Sequence, residues 1–143
     1  MSNANEPDVV WTVLRLARML ERAQTELTLA QYRVLRMVGA GAASSAWVAE
    51  KLSVRRPTIT AAADGLVASG HLVRESDAAD RRVVRLCLTP SGRAALERAD
   101  TALHARCAAV LGEVSDPDRL VALLGEVDAI MDARRAVRKA ARA

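Results

Sequence analysis

Apolar residues recur with a helical period over most of the chain. From Val9 to about Arg22 they lie three and four positions apart with arginines between them, which predicts an amphipathic helix. A second helix is predicted to begin at Thr28, because Thr28 and Gln31 have the spacing of a capping box, and to end at Gly39. The pattern therefore favours a mainly α-helical protein.

Two shorter helical segments follow, separated by a tight turn. Ser44 or Ser45 has the properties of an N-cap, and the turn falls at Ser53. The next helix is predicted to begin at Arg55 to Pro57, since first-turn N–H groups have no intrahelical partner and tolerate a proline. Gly70 is expected to end this helix. Its predicted inner face consists of Ile59, Ala62, Ala63, Leu66 and Val67. This order predicts a helix-turn-helix.

The pattern then changes from helical to alternating. His71 to Arg74 are predicted to form one strand, and Ser76 to Asp80 a polar tip. Val84, Leu86 and Leu88 alternate with polar residues, as expected for a second strand with one face on the core. Together these segments predict a hairpin.

Two long helices are predicted after the hairpin. Thr89 and Pro90 carry the start signals of one that continues to about Val114, and Ser115 to Asp118 repeat those signals for the other. The apolar stripe of the last helix contains Leu120, Leu123, Leu124, Val127, Ile130 and Met131. A chain of 143 residues can hardly cover the wide apolar faces at both of its ends. These faces predict a homodimer formed by the terminal helices.

The charge distribution suggests a ligand. The formal net charge is +4, and the segment from Lys51 to Arg93 contains eight Lys or Arg but four Asp or Glu. Such a basic patch is the expected footprint of a protein that binds phosphate backbones. The basic C-terminal tail has three interpretations, in order of preference: a solvated helix end that complements the helix dipole, a nonspecific DNA contact, and a rim of the dimer interface. The tail contains Arg134, Arg135, Arg138, Lys139 and Arg142.

Other chemistries have little support. Cys87 and Cys107 have no metal-like spacing with His71 or His104, and we interpret them as buried small hydrophobic residues in a reducing compartment. The sequence has no Gly-rich phosphate loop, nucleophile elbow or metal constellation, so we expect no enzyme activity, metal or cofactor. The N-terminus does not resemble a signal peptide and no apolar run approaches a membrane span, which predicts a cytoplasmic protein without membrane contact.

The segment from Leu52 to Gly92 resembles a known family. Its wing signature, Asp77 with Asp80-Arg81-Arg82, and its strand exit Leu86-Cys87-Leu88-Thr89 are similar to the winged helix-turn-helix of the multiple-antibiotic-resistance regulator (MarR) family. Leu27 to Val38 looks like the second helix of that family. The resemblance implies a homodimer on a pseudopalindromic operator, usually a repressor. It also implies a cleft that accepts small aromatic or phenolic effectors.

The resemblance and the pattern together define the expected architecture. We predict a mainly α fold with a small β-hairpin wing, in which a winged helix-turn-helix domain is joined to terminal dimerisation helices. The whole chain, residues 1–143, is expected to form one MarR-like domain. Within it, residues 28–89 are the DNA-binding lobe, and residues 9–25 and 90–140 are the dimerisation helices.

Double-stranded DNA is the expected partner, read in both grooves. The outer face of the recognition helix would enter the major groove, where Arg55 or Arg56 can offer a guanidinium fork to guanine. A wing arginine would enter the minor groove, with Asp80 holding its guanidinium extended, and Ser44 or Ser45 would contact phosphate. For an isolated Asp-Arg-Arg motif, a solvated turn would be the better interpretation. The predicted contact set is Ser44, Ser45, Arg55, Arg56, Pro57, Thr58, Thr60, Ala61, Asp80, Arg81 and Arg82.

Asp64 does not suit a plain DNA contact. It falls near the groove-facing stripe, where an unpaired carboxylate would repel phosphates, so we predict an ion pair with Arg85 or Arg74. Trp11, Asp64 and Arg85 are similar in placement to residues with which some MarR-family members respond to urate or related purines. Arg15, one turn after Trp11, is a second candidate for gripping a carboxylate effector. Alternatively, Trp11 is a core or interface aromatic and Arg15 is solvated.

A second class of function is a winged-helix protein-interaction module without DNA binding. Such a module would need an acidic or apolar recognition face. The arginines at both predicted reading elements argue against it. Salt-dependent binding to DNA distinguishes the two classes.

Overall fold

The computed structural model describes residues 8–23, 25–41 and 44–141. These residues form six helices and one two-stranded antiparallel sheet. The helices are α1 (Val9–Glu21), α2 (Leu29–Gly39), α3 (Ser45–Leu52), α4 (Arg56–Ala68), α5 (Pro90–Leu111) and α6 (Pro117–Ala140). The strands β1 (Leu72–Ser76) and β2 (Val84–Leu88) lie between α4 and α5 in sequence. The predicted class, mainly α with a small hairpin, is confirmed.

The chain divides into two compact units, the first ending at Arg106 and the second beginning at Cys107. In the first unit, one apolar core joins α2, α3, α4, the hairpin and the beginning of α5. Its most deeply buried large side chains are Leu35, Leu66, Leu72, Leu86, Val34 and Val48. The predicted inner face of α4 belongs to this core, since Ile59, Ala63 and Leu66 are buried. The same packing leaves the opposite face of α4 accessible.

Side-chain caps fix the helix starts in this unit. The Thr28 hydroxyl accepts the Gln31 N–H at 3.2 Å, and the Gln31 side chain accepts the Thr28 N–H at 3.0 Å, so the predicted capping box is confirmed. Of the two serines considered for α3, Ser44 is the N-cap. The turn between α3 and α4 passes through Ser53, which adopts a left-handed φ of 53°.

The junction between α4 and β1 is held by backbone contacts. Gly70 has a φ of 76°, and its N–H donates to the Val67 carbonyl at 3.0 Å while the His71 N–H donates to the Leu66 carbonyl at 2.8 Å. A Cβ on Gly92 would lie 1.9 Å from the His71 oxygen, so α5 approaches this junction as closely as a backbone can. The root of the hairpin is therefore fixed by both neighbouring helices.

The hairpin differs in extent from the prediction. β1 covers Leu72–Ser76 rather than residues 71–74, and its ladder runs from Leu72 opposite Leu88 to Ser76 opposite Val84. Of the three residues predicted to alternate inward, Leu86 is buried, Leu88 is partly buried against the core, and Val84 is 48% exposed. The strands therefore extend past the core, where backbone pairing rather than burial maintains the ladder.

The terminal helices bury little. α5 ends at Leu111 rather than near residue 114, and α6 begins after Asp116, whose side chain accepts the Arg119 N–H at 3.1 Å. Neither α1 nor α6 contains a buried side chain among the described residues. The exposed apolar residues of α6 include Leu123, Leu124, Val127, Ile130 and Met131. In the described part of the chain, no helix is both long enough and apolar enough to cross a membrane.

Candidate nucleic-acid interface

The outward face of α4 carries the predicted reading residues. Arg55 is the N-cap of the helix and Arg56 is its first residue, so both lie where the helix dipole adds positive potential. Neither guanidinium has an ion pair or hydrogen bond within the described residues. The exposed residues at the start of α4 are Arg55, Arg56, Pro57, Thr58, Thr60 and Ala61. All six predicted positions of this helix are thus accessible to a groove.

Two hydroxyl groups of the predicted contact set already make hydrogen bonds within the protein. The Thr60 hydroxyl donates to the Arg56 carbonyl at 3.0 Å, which leaves its methyl group and a lone pair for an outside partner. The Ser44 hydroxyl accepts the Trp47 N–H at 3.2 Å, which leaves its proton free to donate to a phosphate oxygen. Lys51 lies with its ammonium 5.5 Å from the Trp47 ring centroid and adds a cation to α3.

Asp77 organises the tip of the wing, the loop between β1 and β2. It is 8% exposed, and its Oδ1 accepts the N–H groups of Ala79 at 2.7 Å and Asp80 at 3.1 Å. Its Oδ2 accepts a hydrogen bond from Nε of Arg85, and its own N–H donates to the Val83 carbonyl at 2.8 Å. The two backbone N–H groups, and after them Arg85, hold the pKa of Asp77 below its ordinary value. The wing tip therefore folds around the carboxylate of Asp77.

The arginines of the wing tip project from this closed loop. Arg81 and Arg82 are exposed, and in the described part of the chain neither guanidinium has an ion pair. The expectation that Asp80 holds a guanidinium is wrong, because the Asp80 carboxylate accepts the backbone N–H of Arg82 at 3.0 Å. Asp80 thus fixes the backbone of the tip, and both guanidinium groups remain available to a groove.

The predicted ion pair of Asp64 is formed by Arg74. Nη2 of Arg74 lies 2.5 Å from Oδ1 of Asp64, whereas Arg85 pairs with Asp77. Arg85, the other predicted partner of Asp64, does not form this pair because of the geometry of the strands. Side chains alternate between the two faces of a strand, and Arg74 lies opposite Leu86 on the core-facing side, next to α4, while Arg85 lies on the other side. The pair connects the recognition helix with the first strand of the wing.

Comparison with known proteins identifies this arrangement. Residues 25–83, which contain α2, α3, α4, β1 and the wing tip, match the model of the MarR family. The DNA-binding segment of the chain therefore matches the MarR family. Members of this family are transcriptional regulators and not enzymes. No curated protein sequence matches the chain.

Solved structures of transcriptional regulators have the same fold. BldR from Sulfolobus solfataricus is 25% identical with a TM-score of 0.73, and the alignment covers 84% of this chain and 89% of BldR. The transcriptional repressor CouR bound to a 23-mer DNA duplex is 29% identical with a TM-score of 0.73, covering 87% and 92%. CouR from Rhodococcus jostii RHA1 bound to p-coumaroyl-CoA is 21% identical with a TM-score of 0.74, covering 94% and 96%, and shows the fold alone.

The effector residues predicted from the MarR-family resemblance are not joined within this chain. Trp11 is 62% exposed on α1, so it is not a core aromatic, and Arg15 is also exposed. Among the described residues, no hydrogen bond or ion pair links either side chain to Asp64 or Arg85. The four residues remain a prediction, with Trp11 open to an interface role.

A polar cluster outside the predicted site residues connects α5 to α2. The Tyr32 hydroxyl donates to Asp100 at 2.6 Å and accepts from Nη1 of Arg36 at 2.7 Å. Burial, and after it the hydrogen bond to Asp100, raises the pKa of Tyr32. Because the tyrosine and the aspartate are 68 positions apart, no local pattern indicates this contact.

A second cluster lies between the α1–α2 connection and α5. Glu26 accepts a hydrogen bond from Nε of Arg98 at 2.9 Å, and its other oxygen lies 3.7 Å from Nε2 of His71. His71 is the residue that precedes β1. Glu26 therefore ties the connection between the first two helices to both α5 and the root of the wing.

The remaining candidate groups have no visible role in the interface. Cys87 and Cys107 are free and partly exposed rather than buried as expected. Burial, with the nearby Glu75, raises the pKa of the Cys87 thiol and so opposes thiolate formation. Within the described ranges, no group of three or more His, Cys, Asp or Glu could hold a metal ion. Arg138 and Lys139 of the basic tail lie in the last turn of α6, and Arg142 lies outside the described residues.

Proposed function

We propose that this protein is a cytoplasmic, sequence-specific transcriptional regulator that acts as a homodimeric repressor on a pseudopalindromic operator and is released by a small aromatic or anionic effector. The observation that carries the proposal is that two separate elements, the start of α4 and the wing tip, both expose arginines. Each exposes two arginines without an ion pair among the described residues. Elsewhere in the same unit, Arg74, Arg85 and Arg98 are neutralised by carboxylates.

The two elements suit different grooves. A guanidinium at the N-terminus of α4 has the fork geometry that matches O6 and N7 of guanine in the major groove. A wing guanidinium suits the minor groove, where narrow A·T-rich tracts concentrate negative potential. Because Asp77 and Asp80 already fix the backbone of the tip, little backbone conformational entropy remains to be lost on binding. The 29% identical CouR, bound to a DNA duplex, supports this assignment.

The exposed faces of the terminal helices support dimerisation. Val9, Val10 and Val13 of α1 are 72%, 68% and 56% exposed, and Ile130 and Met131 of α6 are 53% and 56% exposed. Apolar surface of this extent is characteristic of a protein interface. A two-fold dimer would cover identical faces in pairs and set two reading heads about one DNA turn, roughly 34 Å, apart.

Release by an effector would act on the contact between α4 and the wing. Asp64 and Arg74 are both partly exposed, so an anionic ligand could reach the arginine. A ligand that takes Arg74 from Asp64 would favour a different placement of α4 relative to the wing, which is the differential affinity that an effector needs. The complex of Rhodococcus jostii CouR with p-coumaroyl-CoA is a precedent for small-molecule binding on this fold.

The experiment is a fluorescence anisotropy titration of the full chain against a labelled duplex from the DNA flanking its coding region. A scrambled duplex of equal length is the control, and both are measured over a salt series. We expect preferential binding to the flanking duplex, with an affinity that falls steeply as salt rises. Equal and negligible binding to both duplexes at low salt would instead favour a protein-interaction module.

A further inference from the structure

The exposed face of α4 carries an apolar stripe after its two arginines. The stripe consists of Pro57, Thr60 and Ala61, which are all exposed. Their spacing of three and four positions places them on one face of the helix. The stripe begins directly after Arg56 and ends one turn before Asp64. It therefore lies between a cation and a carboxylate, although the side chains of proline and alanine have no hydrogen-bonding group.

The polar group of Thr60 is directed to its own helix. The Thr60 hydroxyl donates its one proton to the Arg56 carbonyl at 3.0 Å, so it cannot also donate to an acceptor on a base edge. Its methyl group remains for an outside partner. The Asp64 carboxylate that follows the stripe is held by Arg74 at 2.5 Å. The surface between Arg56 and Asp64 is therefore mainly apolar.

We propose that this stripe reads the C5-methyl groups of thymine in the major groove and so contributes to operator specificity. The C5-methyl group of thymine is the apolar group that base pairs present in the major groove, so an apolar contact there selects thymine. The helix rises about 1.5 Å per residue, so the stripe spans roughly 6 Å from Pro57 to Ala61, or about two base-pair steps. The inference rests on the proposed function, because it requires α4 to lie in the major groove.

The same helix provides a matched control residue. Thr58 is exposed, and among the described residues its hydroxyl has no hydrogen-bond partner. Because consecutive residues of an α-helix are rotated by about 100°, Thr58 lies beside the stripe rather than on it. Replacing either threonine by serine removes one methyl group from the first two turns of α4 and keeps the hydroxyl. The two substitutions therefore differ in position and not in chemistry.

The test is fluorescence anisotropy of the full chain with two duplexes of the flanking sequence, one natural and one with deoxyuridine in place of every thymidine. The duplexes have equal charge and pairing and differ in their C5-methyl groups. Wild-type protein should bind the natural duplex about fourfold more tightly or better, since burial of one methyl-sized group corresponds to about that factor. Thr60→Ser should reduce this preference about twofold or more, whereas Thr58→Ser should retain it. Thr60→Val, which removes the hydroxyl and keeps an apolar side chain of the same shape, should also retain it.

The outcomes separate this inference from the proposed function. Equal affinity of wild type for both duplexes would overturn the inference, and so would an equal preference in wild type and Thr60→Ser, since deoxyuridine could then act through DNA shape alone. Loss of the preference in Thr60→Val would also overturn it, because the hydroxyl would then be the reading group. Circular dichroism melts check that each variant is folded. A protein that prefers the flanking duplex to a scrambled one but ignores deoxyuridine contradicts only this inference, whereas one that binds neither duplex contradicts the proposed function as well.

Discussion

Replacing Gly92 by alanine tests how the wing is anchored. The added Cβ would lie 1.9 Å from the His71 oxygen and 2.8 Å from its carbonyl carbon, whereas real Cβ atoms stay beyond about 3.0 Å. The obstacle is backbone, so the junction must open by roughly 1 Å. That movement disturbs the hydrogen bond from the Thr89 N–H to the His71 oxygen, which is 3.2 Å long. Loss of this partly buried hydrogen bond costs about 1 kcal/mol and overpacking about 1–3 kcal/mol, which together predict a loss of about 3 kcal/mol.

The assay is urea unfolding at one fixed protein concentration, since dimerisation would couple stability to concentration. In a separate thermal melt, the same loss of about 3 kcal/mol would lower the melting temperature by about 6–12 °C for a chain of this size. Gly65→Ala is the matched control, because its Cβ would lie 3.2 Å from a side-chain atom, Nε2 of Gln31, rather than 1.9 Å from backbone, and should change stability by less than about 1 kcal/mol. A loss below about 1 kcal/mol in Gly92→Ala would refute the close approach of α5 to the wing root.

Two further predictions concern the charges around the wing. The pKa of Asp77 is lowered in the folded protein, so its contribution to stability is present above the ordinary titration range of aspartate, about pH 4, and is lost as the pH falls below it. Wild-type protein should therefore exceed Asp77→Asn in urea midpoint near neutral pH and lose that advantage in acid; a constant difference would contradict the anionic tip. Asp64→Asn should leave stability within about 1 kcal/mol, since the pair with Arg74 is exposed, and should weaken DNA binding several-fold, because the pair sets the placement of α4 relative to the wing; unchanged or tighter binding would contradict release through this pair.

Local sequence signals were sufficient for most of the fold. The capping box at Thr28, the proline in the first turn of α4 and the glycine after it each specify a backbone geometry within four residues, and all three occur as predicted. The buried face of α4 was also predictable, because its apolar residues recur at helical spacing. Such features are predictable because the atoms that interact are neighbours in sequence.

The candidate site was less predictable because it depends on contacts across the hairpin and between helices. Asp77 belonged to the wing signature, but its position as acceptor for two N–H groups and Arg85 depends on the loop conformation. The choice between Arg74 and Arg85 required the register of the two strands. The Tyr32–Asp100 contact joins residues that no periodicity connects.

The central claim is that an arginine of the wing contributes directly to DNA binding. The most direct measurement is the affinity of Arg82→Ala for the duplex from its own flanking DNA, by anisotropy at fixed salt, beside Arg119→Ala, which removes the same charge from α6. We predict at least a tenfold loss in Arg82→Ala, about 1.4 kcal/mol, with an unchanged melting temperature and no comparable loss in Arg119→Ala. Equal affinities of wild type and Arg82→Ala would contradict the account.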